Sequence, residues 1–190
     1  MKNLITKTGV QFGVLLSFYY ILFNVSIFFI DRALFVNTFV GFFNIGVITL
    51  IGIIVIMLTK KRIGGLITFK DAFTPYLIMV SIGLTINYLT YNVLFNIVDP
   101  SAKHELKDAL YNMLVETLKN IELTPEQKAE QLTQAKNLEQ FTIKSQLFLW
   151  AGSILRYSIL GLLLAAIFRN KSEFAPIAQQ TTEQPINEQK

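Results

Sequence analysis

The chain has 190 residues, of which 52% are hydrophobic and 16% are charged, and its formal net charge is +4. Soluble domains carry roughly 25% charged residues, so this composition favours a chain that is surrounded mainly by lipid. Cysteine is absent and His104 is the one histidine, which excludes disulfides, thiolate nucleophiles and metal sites built from cysteines or paired histidines. We expect no cofactor and no nucleic-acid partner, because the basic residues cluster beside apolar segments, where they set membrane topology.

Four stretches predict transmembrane helices: 9–30, 33–58, 75–98 and 146–168. The first three contain no charged residue, and the fourth contains only Arg156. Each exceeds the roughly 20 apolar residues that a helix needs to cross about 30 Å of hydrocarbon. We therefore predict an all-α membrane protein whose four spans form an antiparallel bundle within one membrane domain, 1–171. The polar segment 172–190 has no periodicity and is expected to be disordered.

The connections between the spans predict how the chain is oriented. Only Asp31 and Arg32 separate spans one and two, so these spans should form a tight antiparallel hairpin. The second connection, 59–75, carries a dense basic run, and such loops stay on the cytoplasmic side. We therefore expect a multi-pass protein of the inner, or plasma, membrane with both termini in the cytoplasm. The six lysines of the third connection, 99–144, oppose this orientation, which rests on the density of the second loop and on the basic residues before span one and after span four.

Two helix-start signals precede span three. Thr68, followed three residues later by Asp71, would cap a short helix at the membrane surface, and Thr74 with Pro75 would begin span three itself. We predict that this short helix turns its apolar residues toward lipid, and an irregular loop is the alternative. These apolar residues are Leu66, Ile67, Phe69, Ala72 and Phe73.

The insert between spans three and four, about 100–144, predicts an extracytoplasmic hairpin of two amphipathic helices. The first starts at Asp99 and Pro100 and carries an apolar stripe opposite its charged residues. This stripe comprises Leu106, Leu110, Met113, Leu114 and Ile121. Thr124 and Gln127 form a capping box for the second helix, which can continue without a break into span four. An exposed apolar stripe would need a protein partner, a second copy of the chain, the lipid surface or the other helix to cover it.

Arg156 is the charged residue of the membrane interior. It lies about ten residues, or roughly 15 Å by helical rise, from each end of span four, so its side chain cannot easily reach water. Placing it against lipid costs about 2.5 to 3.5 kcal/mol, so it should face the bundle interior or a wet cavity. The other spans place Tyr19, Asn44 and Asn87 at matching depths, and we predict an intramembrane polar site from these residues and Arg156.

Two roles are open for this polar site. No Asp or Glu lies at its depth, so neutral groups, water or an anionic ligand should bind the Arg156 guanidinium. In the favoured interpretation, Arg156 locks the four helices together by hydrogen bonds. In the alternative, it forms an anion or lipid-headgroup site in a small transporter or channel subunit. Trp150, near the end of span four, fits an anchor at the membrane surface.

The sequence contains no arrangement that indicates an enzyme. Asp31, Asp71 and Asp99 lie at span ends on alternating sides of the membrane, so an intramembrane carboxylate pair is not expected. The chain also lacks a GxSxG segment, a P-loop and a GxGxxG segment. We therefore expect a non-enzymatic, partner-binding or envelope-associated component in preference to a transporter.

The layout and one motif resemble a known family. The chain combines four spans, a long polar helical insert between spans three and four, and the segment GGLITFKDAF at 64–73 leading into span three. Across about residues 4–170, these features resemble an uncharacterised bacterial family of four-span inner-membrane proteins, classed as a domain of unknown function. The resemblance implies an integral membrane location and supplies no activity, substrate or catalytic residue.

Overall fold

The computed structural model describes residues 2–119, 121–137 and 143–170, and this part of the chain is helical, without a strand. Its α-helices are α1 (Lys2–Ile30), α2 (Thr38–Arg62), α3 (Phe69–Val93), α4 (Ala102–Lys119), α5 (Pro125–Asn137) and α6 (Ile143–Phe168). A 3₁₀ helix, Arg32–Val36, precedes α2, and a π-helical turn, Leu94–Val98, extends α3. Of these, α1, α2, the extended α3 and α6 are long and apolar enough to cross a membrane. The predicted all-α protein with four membrane-crossing helices is therefore confirmed, while the predicted disordered segment 172–190 lies outside the described residues.

The connection between the first two spans is longer than predicted. Asp31 caps the 3₁₀ helix Arg32–Val36, and α2 begins only at Thr38. The side-chain oxygen of Asn37 caps α2 by accepting a hydrogen bond from the backbone N–H of Phe39 at 2.9 Å. The predicted two-residue connection is wrong. Residues 33–36 are as apolar as a membrane span, but their backbone forms part of the separate 3₁₀ helix.

The predicted surface helix before span three is also wrong, although its cap is right. The Thr68 hydroxyl accepts a hydrogen bond from the backbone N–H of Asp71 at 3.2 Å, and the helix that starts there is α3 itself. Pro75 lies inside α3, in its second turn, instead of beginning a new helix. Ile67 and Ala72 are 2% and 0% exposed, so these two residues face the protein and not the lipid.

The helix α3 lies at the centre of the bundle, in contact with α1, α2 and α6. It runs parallel to α1, because Gly9 of α1 lies against Pro75 while Gly13, one turn later, lies against Ile82. A Cβ added to Gly9 would lie 2.8 Å from the Pro75 carbonyl oxygen, so the two backbones are nearly in contact at this point. Small residues allow such close approach, and the packing gained there replaces a hydrophobic force that is absent in lipid.

Tyr76 of α3 holds α2 and α6 together at the end of the bundle that carries the basic loop. Its side chain is 0% exposed and lies between Gly52 of α2 and Gly161 of α6. A Cβ on Gly52 would lie 2.5 Å from the ring, and one on Gly161 would lie 2.3 Å from it. The Tyr76 hydroxyl donates a hydrogen bond to the backbone carbonyl of Tyr157 at 3.0 Å. This half of the bundle is therefore closely packed.

At the other end, α4 packs against the bundle through the beginning of its predicted apolar stripe. The helix begins at Ala102, two residues after Pro100. Ala102 and Leu106 are buried in a cluster with Phe28 and Phe95, whose rings meet edge to face with centroids 5.2 Å apart. The first part of the stripe is thus covered by the chain itself.

An ion-pair network fixes this contact. The Arg32 guanidinium lies 2.8 Å from the carboxylate of Asp99 and 3.1 Å from that of Glu105, and it stacks 4.6 Å from the centroid of the Phe28 ring. The hydroxyl of Ser101 donates a hydrogen bond to the Asp99 carboxylate. This hydrogen bond, and after it the bond and charge of Arg32, lower the pKa of Asp99 below its ordinary value.

The predicted capping box at the start of α5 is confirmed. The Thr124 hydroxyl accepts a hydrogen bond from the backbone N–H of Gln127 at 3.3 Å, and the Gln127 side chain accepts one from the backbone N–H of Thr124 at 3.1 Å. Ile121, at the end of the predicted stripe, is 44% exposed. The predicted continuous helix from α5 into span four would cross 138–142, which lie outside the described residues.

Candidate functional site

Eight polar residues of the membrane-crossing helices border one cavity with a volume of about 550 Å³. Its polar lining comprises Tyr20, Asn24, Asn44, Asn87, Tyr91, Ser153, Arg156 and Tyr157. The structure therefore brings Asn44, Asn87 and Arg156, three of the four residues of the predicted site, to the same cavity. The fourth, Tyr19, joins them through Asn44, whose Oδ1 accepts a hydrogen bond from the Tyr19 hydroxyl at 3.0 Å.

Helix packing leaves this space in the half of the bundle nearest to α4. From α3 the cavity is lined by Leu84, Asn87 and Tyr91, all in the second half of that helix. The first half is occupied by the close contacts around Tyr76. The 3₁₀ helix contributes Phe35, whose ring packs against that of Tyr91 with centroids 5.7 Å apart. The unpredicted turn before α2 thus forms part of the site.

Arg156 faces the cavity but does not tie the helices together. Its side chain is exposed, and Nη2 donates a hydrogen bond to the Ser153 hydroxyl at 3.1 Å. Ser153 lies one turn earlier on α6 and donates in turn to the carbonyl of Leu149 at 2.8 Å. Among the described residues, the guanidinium has no hydrogen bond to α1, α2 or α3. This geometry does not supply the interhelical lock that the sequence favoured for Arg156.

Besides the bond from Tyr19 to Asn44, a hydrogen bond between two asparagines links helices at the cavity. Asn24 of α1 donates through Nδ2 to the Oδ1 of Asn87 in α3 at 2.7 Å, and Asn24 is only 5% exposed. Asn44 of α2 uses its Nδ2 within its own helix, donating to the carbonyl of Val40 at 2.9 Å. The side-chain oxygens of Asn44 and Asn87 accept hydrogen bonds from Tyr19 and Asn24. Amide side chains are neutral, so none of these three asparagines supplies a negative charge.

The groups that remain available in the cavity are mainly donors. Arg156 keeps its Nη1 and Nε groups, and Asn87 keeps Nδ2, without a hydrogen-bond partner among the described residues. The hydroxyls of Tyr20 and Tyr157 also lack a partner in this part of the chain. The lining contains no Asp or Glu. A positively charged, donor-rich cavity of this kind can hold an anion, since a guanidinium offers several N–H groups in a planar fork.

A second, smaller cavity of about 250 Å³ adjoins the first. Asn87 and Ser153 line both cavities, and the smaller one is also lined by Gln146 and Trp150 of α6 and Tyr88 of α3. The Trp150 ring centroid is 6.2 Å from that of Tyr88, and its Nε1 is buried. Trp150 therefore packs into the bundle, and its role as an anchor at the membrane surface stays a prediction.

Sequence reasoning did not include Gln146, Ser153 or Trp150 in the predicted site. Ser153 carries a usable signal, because residues three apart on a helix are neighbours and Ser153 lies three positions before Arg156. Nothing comparable indicates Gln146, whose inward direction depends on the rotation of α6 against α3. For metal chemistry, the described part of the chain contains no group of three or more His, Cys, Asp or Glu side chains that could hold an ion.

Fold and cavity together define the class: a multi-pass α-helical membrane protein with a polar space between its helices. Residues 8–170 match the family described as "Protein of unknown function (DUF4199)", and the chain belongs to this family. The match reaches from the first span to the end of the fourth, which confirms the resemblance to a family of unknown function. Comparisons with curated proteins and with solved structures give no match.

Proposed function

We propose that this protein is a non-enzymatic component of the inner membrane that binds an anionic ligand at Arg156. The observation that carries the proposal is a cavity between the membrane-crossing helices, where the Arg156 guanidinium hydrogen-bonds only to Ser153 among the described residues. The same cavity offers Asn87 Nδ2 as a second donor and has no acidic side chain in its lining.

Energetics support an anion in this position. An uncompensated arginine in the middle of a span costs about 2.5 to 3.5 kcal/mol, and such residues normally pair with an opposite charge or with backbone carbonyls. Here the lining supplies only neutral groups, so a bound anion would provide the missing negative charge. Two oxygens of a phosphate or carboxylate can each accept a hydrogen bond from one guanidinium, which favours arginine over lysine at such a site.

Thermal unfolding of the full chain in neutral detergent tests the proposal. We expect phosphate or sulfate to raise the melting temperature of the wild type, because a ligand at 100 times its Kd stabilises the folded state by about 2.7 kcal/mol. Arg156→Leu should remove this rise, and Arg156→Lys should reduce it by losing the planar fork. Without an anion, Arg156→Leu should melt close to the wild type, because the one hydrogen bond lost is to Ser153 in the same helix.

Arg169→Leu is the matched control. Arg169 is an exposed arginine just after the end of α6 and does not line the cavity, so its loss removes the same charge without touching the site. An anion-dependent rise that survives in Arg156→Leu, or that disappears equally in Arg169→Leu, would refute the proposed site.

The orientation in the membrane is part of the same proposal. The basic residues of the second loop support a cytoplasmic position for this loop, which would place α4 and α5 on the other side and both ends of the chain in the cytoplasm. Reporter fusions after Lys60 and Lys171 should then report a cytoplasmic location, and one after Gln127 an extracytoplasmic location. A cytoplasmic signal from the Gln127 fusion would reverse the orientation.

Binding of a protein partner through α4 and α5 is the second candidate function. It is favoured by the position of α5, which packs on α4 beyond the bundle, and by Ile121, which is 44% exposed in the turn between them. Crosslinking of the intact protein in membranes should then recover a stoichiometric partner or a second copy of the chain. Loss of that product in Ile121→Ser but not in Leu66→Ser, an apolar position that is 75% exposed at the opposite end, would assign it to this hairpin.

A further inference from the structure

The two cavities differ in character although they share part of their lining. The larger contains Arg156, whereas the smaller is bordered by apolar side chains that include Leu106 and Leu149. Asn87 and Ser153 belong to both, so the spaces adjoin. A ligand that fills both would need a charged end for the larger cavity and an apolar part for the smaller one.

The position of Arg156 on α6 places it where the larger cavity meets lipid. Side chains three or four residues apart share a helix face. Arg156 shares one face with Ser153, which lines the cavity, and another with Ile159, which is 56% exposed. Leu155, the neighbour of Arg156 in sequence, is 68% exposed. In a bilayer these exposed apolar residues contact lipid, so Arg156 stands at the edge between the lipid-facing side of α6 and the cavity.

The smaller cavity also holds polar atoms that the protein leaves unpaired. Gln146 is 5% exposed, and neither its Nε2 nor its Oε1 has a hydrogen-bond partner in the described part of the chain. The Nε1 of Trp150, one turn later, is likewise buried and unpartnered. Buried polar groups are normally paired, so such a pair of side chains beside a cavity indicates a group that completes them.

We infer that the ligand is an anionic amphiphile, with its acidic group at Arg156 and its apolar part in the smaller cavity beside Trp150. This inference rests on the proposed anion site and names the chemical class of its ligand. Arg156 lies six positions after Trp150 on α6, which is about 9 Å by helical rise. The ligand therefore carries its charge about this far from the part that reaches Trp150. An uncharged hydrogen-bonding group on the chain, such as an amide or a hydroxyl, would pair with Gln146.

Trp150 is the single tryptophan of the chain, so its fluorescence reports directly on the smaller cavity. The probe is dodecanoate with a bromine on its terminal carbon, added to the full-length protein in neutral detergent, and its uncharged methyl ester is the control. We expect the carboxylate to quench Trp150 saturably and the ester to need a concentration about tenfold higher or more, since it lacks the charge that Arg156 binds. Arg156→Leu should abolish the difference between the two probes, and Arg169→Leu should retain it.

The outcomes separate this inference from the anion site on which it rests. Suppose that inorganic phosphate raises the melting temperature through Arg156 but that the amphiphile shows no charge-dependent quenching. This result would overturn the inference, and the anion site would remain as a site for a free anion. Equal quenching by acid and ester in the wild type would also overturn it. If neither phosphate nor the carboxylate depends on Arg156, both proposals fail.

Gln146→Leu tests the smaller cavity independently of the charge. If a ligand completes Gln146, the substitution removes an unpaired buried amide, so the ligand-free protein should melt at the same temperature or higher. A brominated amphiphile that carries an amide in its chain should then bind Gln146→Leu less tightly than the wild type. The brominated dodecanoate, which has no amide, should bind both proteins equally well. A lower melting temperature of ligand-free Gln146→Leu would show that the protein itself pairs this amide and would overturn its role in the ligand site.

Discussion

The packing of Tyr76 predicts that Gly161→Ala destabilises the bundle. A Cβ at position 161 would lie 2.3 Å from two carbon atoms of the Tyr76 ring. Carbon atoms in contact are normally about 3.5 to 4.0 Å apart, so the added methyl group would be more than about 1 Å too close. The ring cannot retreat toward α2, because its other edge already lies against Gly52, so closely that a Cβ built there would be 2.5 Å from it. Its hydroxyl is also held by the carbonyl of Tyr157 at 3.0 Å.

Two opposing effects set the magnitude. Overpacking of a closely packed core costs about 1 to 3 kcal/mol, because side chains leave their preferred rotamers or helices move apart. Replacing glycine by alanine within a helix returns about 0.8 to 1 kcal/mol of helix propensity. For Gly161→Ala we expect a net loss of about 1 to 2 kcal/mol in the free energy of unfolding, since the clash is with a 0% exposed ring that is confined on both sides.

The assay is reversible unfolding of the detergent-solubilised protein, followed by circular dichroism, with Gly152→Ala as the matched control. Gly152 lies on the same helix, and no atom lies within 4 Å of an added Cβ there, so this variant should be as stable as the wild type or slightly more stable. Combining Gly161→Ala with Tyr76→Leu should recover part of the loss, because the two positions are in contact. Equal stability of Gly161→Ala and Gly152→Ala would refute the described packing of α3 between α2 and α6.

Two further predictions concern hydrogen bonds and charge. Asn87→Leu removes the 2.7 Å bond from Asn24 and should cost about 0.6 to 2 kcal/mol of stability in an unfolding titration, whereas Thr85→Val, which loses only a bond to its own helix, should change little. A cost no greater than that of Thr85→Val would contradict the asparagine link. The pKa of Asp99 is lowered by the Ser101 hydrogen bond and by Arg32, so its contribution to stability should be present above its unfolded pKa, about 3.9, and be lost as the pH falls through the lower folded pKa. Wild type and Asp99→Asn should therefore differ in melting temperature at neutral pH and converge in acid, and a constant difference at every pH would exclude this role.

The order of hydrophobic and polar residues was enough to predict the helical class, the four spans and the local helix starts. A span is identified by the transfer of its own residues into lipid, and a cap such as Thr68 or Thr124 depends on a partner three residues away. Both are short-range properties of the chain. For the candidate site, matching depths along antiparallel spans placed Asn44, Asn87 and Arg156 at one level, and these three residues do line one cavity.

Only the tertiary structure decided which faces of the helices meet. The helix of span three continues through Pro75, whereas the apolar residues 33–36 form a separate turn before α2. Hydropathy does not distinguish the two cases, because backbone direction there depends on packing against other helices. Lateral arrangement likewise decided that Asn24 meets Asn87 while Arg156 keeps most of its donors, since hydrogen bonds between helices require rotation and distance as well as depth. The sequence by itself therefore determined what lies in the membrane, and the tertiary structure determined that a donor-rich cavity remains between the helices.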